Sequence, residues 1–138
     1  MTTTTGYSGT PLVRKLGYKP GMRAHHVAAP EGFYALVGEL PNGVRVLARA
    51  APDLDLVVRF VRSRAEIERR IGGLHAKLRQ DGMLWVAWPK RASKLPTDMT
   101  EDVVRDVALP RGLVDVKVCA IDDTWSGLKL VIRRELRT

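Results

Sequence analysis

The sequence predicts a small three-layer α/β domain whose sheet has about six strands, is mostly parallel and ends in an antiparallel hairpin. Short apolar stretches typical of strands alternate with helical patterns along most of the chain. Helices between successive strands favour parallel pairing and cover both faces of the sheet. The last two strand patterns, 114–121 and 128–133, are joined by a short link that favours antiparallel pairing.

The composition is that of a soluble globular domain. The 138 residues are 45% hydrophobic and 28% charged, and this length fits one domain. The apolar runs reach about six residues, against the roughly 20 of a membrane helix. The chain start lacks the basic and apolar regions of a secretory signal, and Cys119 is the single cysteine. We therefore expect a cytoplasmic protein without a disulfide or a membrane association.

The N-terminal part combines a polar tail with a first short helix. We expect residues 1–6 to be a mobile tail and residues 7–138 to form one domain without an internal repeat. Thr10 and Pro11 have the pattern of an N-cap followed by proline at the first helical position, and Gly17 ends that helix.

A strand–helix–strand unit follows. The stretch 22–29 predicts a strand. Pro30 cannot continue this strand, but it can be the first residue of a helix. The next strand is predicted over 44–48. The apolar side of the intervening helix is Phe33, Tyr34, Leu36 and Val37.

The middle of the chain gives the clearest pattern. A strand over 54–61 is followed by Ser63 and Glu66, which have the spacing of a capping box. We expect the helix to stop at Asp81-Gly82, and the Gly72-Gly73 pair to allow close packing on the sheet. The helical stripe consists of Ile67, Ile71, Leu74 and Leu78.

The last helix lies between two strand patterns. A strand over 83–88 ends at Pro89, and a loop rich in lysine, serine and proline continues to Thr97. Thr100 predicts the N-cap of a helix, which Pro110 and Gly112 terminate.

The net charge of +8 favours anionic partners. The basic residues are spread along the chain, with acidic residues between them and no run of five. A small phosphate-bearing or carboxylate ligand and a nucleic acid both remain open as partners. The oligomeric state is not predicted.

The order of elements predicts where a ligand binds. In open parallel sheets, ligands bind at the carboxyl ends of strands where the strand order reverses, here between the first strand and the strand 54–61. The loops that meet there form a cationic rim suited to phosphate or carboxylate. The open alternative is that Ser63 caps its own helix and the arginines are solvated or pair with Glu66 and Glu68. The predicted ligand-binding residues are Pro30, Glu31, Gly32, Arg62, Ser63, Arg64, Trp88, Lys90, Arg91, Ser93 and Trp125.

Other reactive side chains favour structural roles. His25 and His26 are adjacent in a strand and face opposite ways, so they do not share a metal ion, and we predict no metal site. Cys119 alternates with apolar residues and is interpreted as a buried filler. Asp122 and Asp123 are interpreted as turn residues. No catalytic residue is predicted.

Several segments carry a resemblance to a known family. The chain resembles the uncharacterised bacterial family catalogued as domain of unknown function 3052, which has no established activity. More distantly, it resembles the class I S-adenosylmethionine-dependent methyltransferases, and this implies a Rossmann-like fold. The matching segments are 7–12, 19–22, 29–32, 84–90, 100–104, 112–119 and 122–127.

The methyltransferase resemblance has three departures. It implies a glycine-rich loop after the first strand, but residues 27–32 hold one glycine, Gly32, and include Pro30. It also implies an acidic residue after the second strand, where Arg49 stands, and a helix–strand–helix segment for which 48–53 leaves little room. We therefore expect a non-catalytic methyltransferase-like module without a cofactor, which binds a protein partner or a small anionic ligand. The alternatives are a divergent S-adenosylmethionine-dependent methyltransferase and a basic nucleic-acid-binding accessory protein.

Overall fold

The computed structural model describes residues 10–138, which form a six-stranded sheet with helices on both faces. The predicted tail, 1–6, lies outside the described residues. The strands are β1 (Arg23–Val27), β2 (Arg45–Leu47), β3 (Leu54–Phe60), β4 (Leu78–Pro89), β5 (Leu113–Ala120) and β6 (Trp125–Ile132). The α-helices are α1 (Leu12–Leu16), α2 (Phe33–Val37), α3 (Arg64–Lys77) and α4 (Glu101–Ala108).

The sheet has the order β2–β1–β3–β4–β6–β5. Strand β1 pairs in parallel with both β2 and β3, and β3 pairs in parallel with β4. Strand β6 lies between β4 and β5 and is antiparallel to both. The predicted α/β class, with a mostly parallel sheet and a closing antiparallel hairpin, is confirmed.

Each face of the sheet carries its own hydrophobic core. On the face that we call the α3 face, Ile67, Ile71 and Val104 of α3 and α4 pack against apolar side chains of the central strands. On the opposite face, the α1 face, Leu16 of α1 and Phe33 of α2 pack against β3 and β4. The molecule therefore has the three predicted layers.

Two helices begin later than the sequence predicts. Pro11 is the N-cap of α1 and not its first helical residue. Pro30 does not start α2, because Gly32 has a left-handed φ of +91° that a right-handed helix cannot include, so α2 begins at Phe33. Of the predicted apolar side of α2, Phe33 and Val37 are buried, whereas Tyr34 and Leu36 are exposed.

The end of α3 is a larger correction. The helix stops at Lys77, and Leu78 is already the first residue of β4, where it pairs with Leu54. Asp81 and Gly82 lie within β4, in an irregular stretch where residues 79–82 face a single residue of β3. A Cβ at Gly82 would lie 2.8 Å from the carbonyl oxygen of Leu54, so this strand contact requires glycine.

The glycine pair in α3 does not have the expected role. Gly72 and Gly73 are exposed, and a Cβ at Gly73 would meet no atom within 4 Å. Close packing on the sheet therefore does not explain this pair. The predicted N-cap of α4 is confirmed, since the Thr100 hydroxyl accepts a hydrogen bond from the backbone N–H of Val103 at 3.1 Å.

The link between β2 and β3 is the shortest passage between parallel strands in the sheet. Residues 48–53 make it without a helix, whereas α2 connects β1 to β2 and α3 connects β3 to β4. A connection of this length cannot place a helix on the α3 face of β1 and β2. The edge of α3 therefore borders an uncovered part of the sheet.

Candidate functional site

The strand order reverses between β1 and β3. From β1 the chain passes to β2 on one side, and from β3 it continues to β4 on the other. Strands β1 and β3 end at Val27 and Phe60, and ligands in open α/β sheets bind beside such ends. The two faces of the sheet differ strongly at this point.

Aromatic side chains fill the α1 face at the strand ends. The ring centroids of Phe33 and Phe60 lie 5.1 Å apart, and those of Phe60 and Trp125 also lie 5.1 Å apart, both edge to face. All three side chains are buried. The Arg62 guanidinium carbon lies 5.9 Å from the Trp125 ring centroid, in a cation–π arrangement. Arg62 and Trp125 of the predicted rim thus meet, above a packed aromatic cluster.

The N-terminus of α3 is already bonded to side chains of the protein. The backbone N–H of Arg64 donates to Asp98 Oδ1 at 2.8 Å, and that of Glu66 donates to Ser63 Oγ at 3.2 Å. Glu66 Oε1 accepts from the backbone N–H of Arg62 at 3.1 Å. The backbone N–H groups at the start of α3, which were predicted to bind an anion, therefore already donate hydrogen bonds to side chains of the protein.

The Arg64 side chain is also paired. Its Nε donates to Glu68 Oε2 at 2.8 Å, and Nη1 lies 3.6 Å from Asp106 Oδ2. The Glu68 hydrogen bond raises the pKa of the Arg64 guanidinium. The structure therefore shows the alternative arrangement for Ser63 and Arg64, in which the serine caps its helix and the arginine binds a glutamate.

The other predicted residues do not gather in one place. Trp88 lies on the α3 face, opposite to Trp125, and lines a cavity of 490 Å³ together with Arg91 and residues 94–100. Ser93 closes a local turn by donating from Oγ to the carbonyl oxygen of Lys90 at 2.7 Å.

The loop after β1 lies apart from that cavity. The carbonyl oxygen of Pro30 accepts from the backbone N–H of Phe33 at 3.1 Å, and Glu31 and Gly32 are exposed. The predicted residues are therefore not brought together, and Trp88 and Trp125 lie on opposite faces of the sheet.

A second cavity of 370 Å³ opens on the α3 face beside β1 and β3, and we call it the Arg59 cavity. The pairing of Val27 with Arg59 and of His25 with Val57 places strand residues of this cavity side by side. The α3 residues lie three, four and seven positions apart along one side of that helix. The cavity is lined by His25, Val27, Ala50, Arg59, Arg70, Gly73, Leu74 and Lys77.

Arg59 is a charged residue buried at the wall of this cavity. It is only 8% exposed, and its Nη2 donates to Glu66 Oε2 at 3.0 Å. Its buried Nε has no hydrogen-bond acceptor among residues 10–138. Burial lowers the pKa of Arg59, Glu66 acts in the opposite direction, and the nearby charge of Arg70 lowers it further. The Arg59 guanidinium is thus a cation at the cavity that still has an N–H donor available for a ligand.

His25 is fixed in one orientation at the same cavity. His25 is 6% exposed, and its Nδ1 lies 2.8 Å from the carbonyl oxygen of Leu47. Because a carbonyl oxygen only accepts hydrogen bonds, Nδ1 carries a proton and the neutral ring has its lone pair on Nε2. The site thus combines cations, an oriented imidazole and apolar wall residues.

Sequence reasoning missed the residues of the Arg59 cavity. A signal was present, because Arg59 interrupts a strand whose neighbouring residues are apolar, and Arg70 and Lys77 share one side of a helix. What the sequence lacks is the register between β1 and β3, which places His25 and Arg59 on the same face.

The structure also shows where the other reactive side chains lie. His25 and His26 lie on opposite faces of the sheet, as predicted. Among residues 10–138, no three His, Cys, Asp or Glu side chains form a group that could hold a metal ion. Asp122 Oδ1 accepts from the backbone N–H of Thr124 at 2.8 Å, which is a turn-forming role. Cys119 is buried, and burial raises the pKa of its thiol. No helix within residues 10–138 is long and apolar enough to cross a membrane.

The fold is similar to that of solved structures described as methyltransferases. One of them is a SAM-dependent methyltransferase from Aquifex aeolicus, with 17% identity, a TM-score of 0.60, and coverage of 88% of this chain and 87% of that one. The chain is also similar to the ribosomal protein L11 methylase of Lactobacillus delbrueckii subsp. bulgaricus, with 11% identity, a TM-score of 0.58, and coverage of 89% and 75%.

A third solved structure extends the same likeness. The magnesium protoporphyrin IX methyltransferase of Synechocystis PCC 6803 is 11% identical, with a TM-score of 0.57 and coverage of 88% of this chain and 78% of that one. At such identities the likeness shows the Rossmann-like fold. No protein-family model and no curated protein sequence matches the chain, so the narrower resemblance to domain of unknown function 3052 stays a prediction.

Proposed function

We propose that this chain is a methyltransferase-like module that transfers no methyl group and binds a small anionic ligand in the Arg59 cavity. The observation that carries the proposal is the Arg59 side chain, a buried cation with an unpartnered Nε at a cavity beside the strand-order reversal. Leaving a buried donor without an acceptor is unfavourable, and a ligand that supplies the acceptor removes this cost. The Nε of Arg23 is also buried without an acceptor, but Arg23 does not line the cavity. A small ligand is favoured over a protein partner because Arg59 lines a cavity.

The strand ends support the loss of methyl transfer. The loop after β1 carries Pro30, which has no N–H to donate, and a single glycine, Gly32. Arg49, exposed after β2, stands where the methyltransferase resemblance implies a carboxylate. Phe60 and Trp125 fill the α1 face nearby. Membership of domain of unknown function 3052, which the sequence segments suggest, is compatible with this proposal.

A divergent S-adenosylmethionine-dependent methyltransferase is the second candidate. The observation in its favour is the fold, which is similar to that of solved structures described as a methylase and a methyltransferase. This candidate predicts that S-adenosylmethionine binds saturably despite the altered loop.

Calorimetric titration distinguishes the two candidates. Purified protein, checked by mass spectrometry for ligand carried over from the cell, is titrated with S-adenosylmethionine and separately with inorganic phosphate. The proposal predicts no saturable heat at millimolar S-adenosylmethionine and one-site binding of phosphate. One-site binding of S-adenosylmethionine together with transfer of its labelled methyl group would overturn the proposal and establish a methyltransferase.

A further inference from the structure

We infer that the ligand of the Arg59 cavity is a phosphate monoester whose ester group is apolar. The inference rests on the proposed function and goes one step further, because it names the chemical class of the ligand. It follows from the cavity's origin, its charges and its walls.

The cavity is a feature of this chain's own connection between β2 and β3. Residues 48–53 pass between these strands without a helix, and Ala50 of this link forms part of the cavity wall. The opening is therefore a consequence of the short link and lies on the face opposite to the aromatic cluster. Its volume of 370 Å³ is in the range of about 300–1,000 Å³ that small-molecule sites occupy.

The charges around the cavity fit a dianion. Arg59 is neutralised by Glu66, with 3.0 Å between Nη2 and Oε2. Arg70 and Lys77 also line the cavity, and neither forms an ion pair with any residue from 10 to 138. Two cations without counter-charges remain. A phosphate monoester carries a charge of about −1.5 to −2 at pH 7, whereas a carboxylate or sulfonate carries one negative charge.

The walls of the cavity fit an organic group on the phosphate. Val27 and Ala50 contribute apolar surface from the sheet side, and Leu74 contributes it from α3. Gly73 adds no side chain, and a Cβ there would meet nothing within 4 Å. Ligand sites combine such apolar walls with a few placed polar groups. The phosphate lies between the guanidinium of Arg59 and the cations of α3, and the apolar group lies against these walls.

Two matched probes test the charge of the ligand. Phenyl phosphate and phenyl sulfate have the same ring, the same ester oxygen and three terminal oxygens each, but phenyl phosphate is a dianion above its second pKa and phenyl sulfate is a monoanion. Calorimetry at pH 7.5 and fixed ionic strength is expected to show phenyl phosphate binding about tenfold or more tightly than phenyl sulfate, since each charge-assisted hydrogen bond contributes that order of affinity.

Variants of α3 test the location. Arg70→Gln and Lys77→Gln are each expected to weaken phenyl phosphate binding about tenfold. Arg69→Gln is the matched control, because it removes the same charge from an exposed site on the same helix outside the cavity, and we expect a change of less than about twofold. Gly73→Leu places a side chain at the cavity and is expected to abolish binding while circular dichroism remains unchanged.

The possible failures separate the inference from the proposed function. In one outcome both probes bind equally, and Arg70→Gln weakens their binding whereas Arg69→Gln does not. This result would overturn the inference that the ligand is a dianion, but the proposed anion-binding module would remain. Equal losses in Arg69→Gln and Arg70→Gln would show general surface attraction and overturn the cavity as the site. Absence of binding by either probe and by inorganic phosphate would overturn both.

Discussion

Arg59 lies between Val58 and Phe60 in a strand whose other residues are mostly apolar and buried. Removing a guanidinium from water is unfavourable, and one hydrogen bond to Glu66 offsets only part of that loss. The position of this charge at a cavity, and not in a closed core, allows a ligand to supply further acceptors. Packing within the strand therefore does not explain an arginine at this position, whereas binding of a ligand does.

The Ser63 cap is a second case in which one side chain determines local structure. Ser63→Ala removes the acceptor for the backbone N–H of Glu66, and we expect a loss of about 1 kcal/mol in the free energy of unfolding. Urea denaturation measures this loss. Ser63→Asp restores an acceptor at the same position and is expected to recover most of it; an alanine variant as stable as the wild type would contradict the capping role.

His26 shows how burial controls protonation on the α1 face. Its Nε2 contacts the hydroxyl of Tyr18, and its Nδ1 lies 3.1 Å from that of Tyr34. Burial lowers the pKa of His26 to about 4, with a smaller contribution from His25. The neutral ring has one N–H, so one tyrosine donates to the ring and the other accepts from it.

This shift makes stability depend on pH. The folded pKa of His26 is about 4 and the unfolded value is about 6.5, so between these values the unfolded chain binds more protons. The free energy of unfolding therefore rises with pH across this window, and the contribution of His26 is lost as pH falls from 6.5 through 4. We expect the difference in unfolding free energy between wild type and His26→Gln to become smaller as pH falls through that window. A difference that is independent of pH would contradict the shift.

At the scale of elements, the sequence predicted what local spacing determines. The strand over 54–61, the Ser63 and Thr100 caps and the closing hairpin follow from residues close together in the chain. The start of β4 at Leu78 did not follow, because Leu78 continues the apolar stripe of α3 and is equally buried when it pairs with Leu54. Only the strand pairing distinguishes the two arrangements.

Two glycines are expected to respond oppositely to alanine. Gly73→Ala adds a Cβ in open space within α3 and is expected to stabilise the protein by about 1 kcal/mol through helix propensity. Gly112→Ala is expected to destabilise it by about 1 kcal/mol or more, because φ there is +87°. Thermal unfolding of both variants measures the contrast, and destabilisation by Gly73→Ala would show that the edge of the cavity has no room for a Cβ.

At the scale of the whole molecule, the alternation of strands and helices was enough to predict the α/β class, the parallel sheet and the reversal of strand order. The candidate site was predicted less well. Sequence order placed Trp88 and Trp125 at the same end of the sheet but could not place them on opposite faces. The Arg59 cavity depends on the register of β1 with β3 and on the position of α3, which are properties of the assembled sheet.

The most direct test of the account is to map an anion onto the backbone by amide chemical-shift perturbation, with phenyl phosphate added to ¹⁵N-labelled protein. We predict saturable shifts concentrated at the Arg59 cavity, at the amides of Val27, Ala50, Gly73 and Leu74. Shifts concentrated instead at Glu31, Gly32 and residues 90–94 would contradict this account and return the ligand to the rim that the sequence predicted.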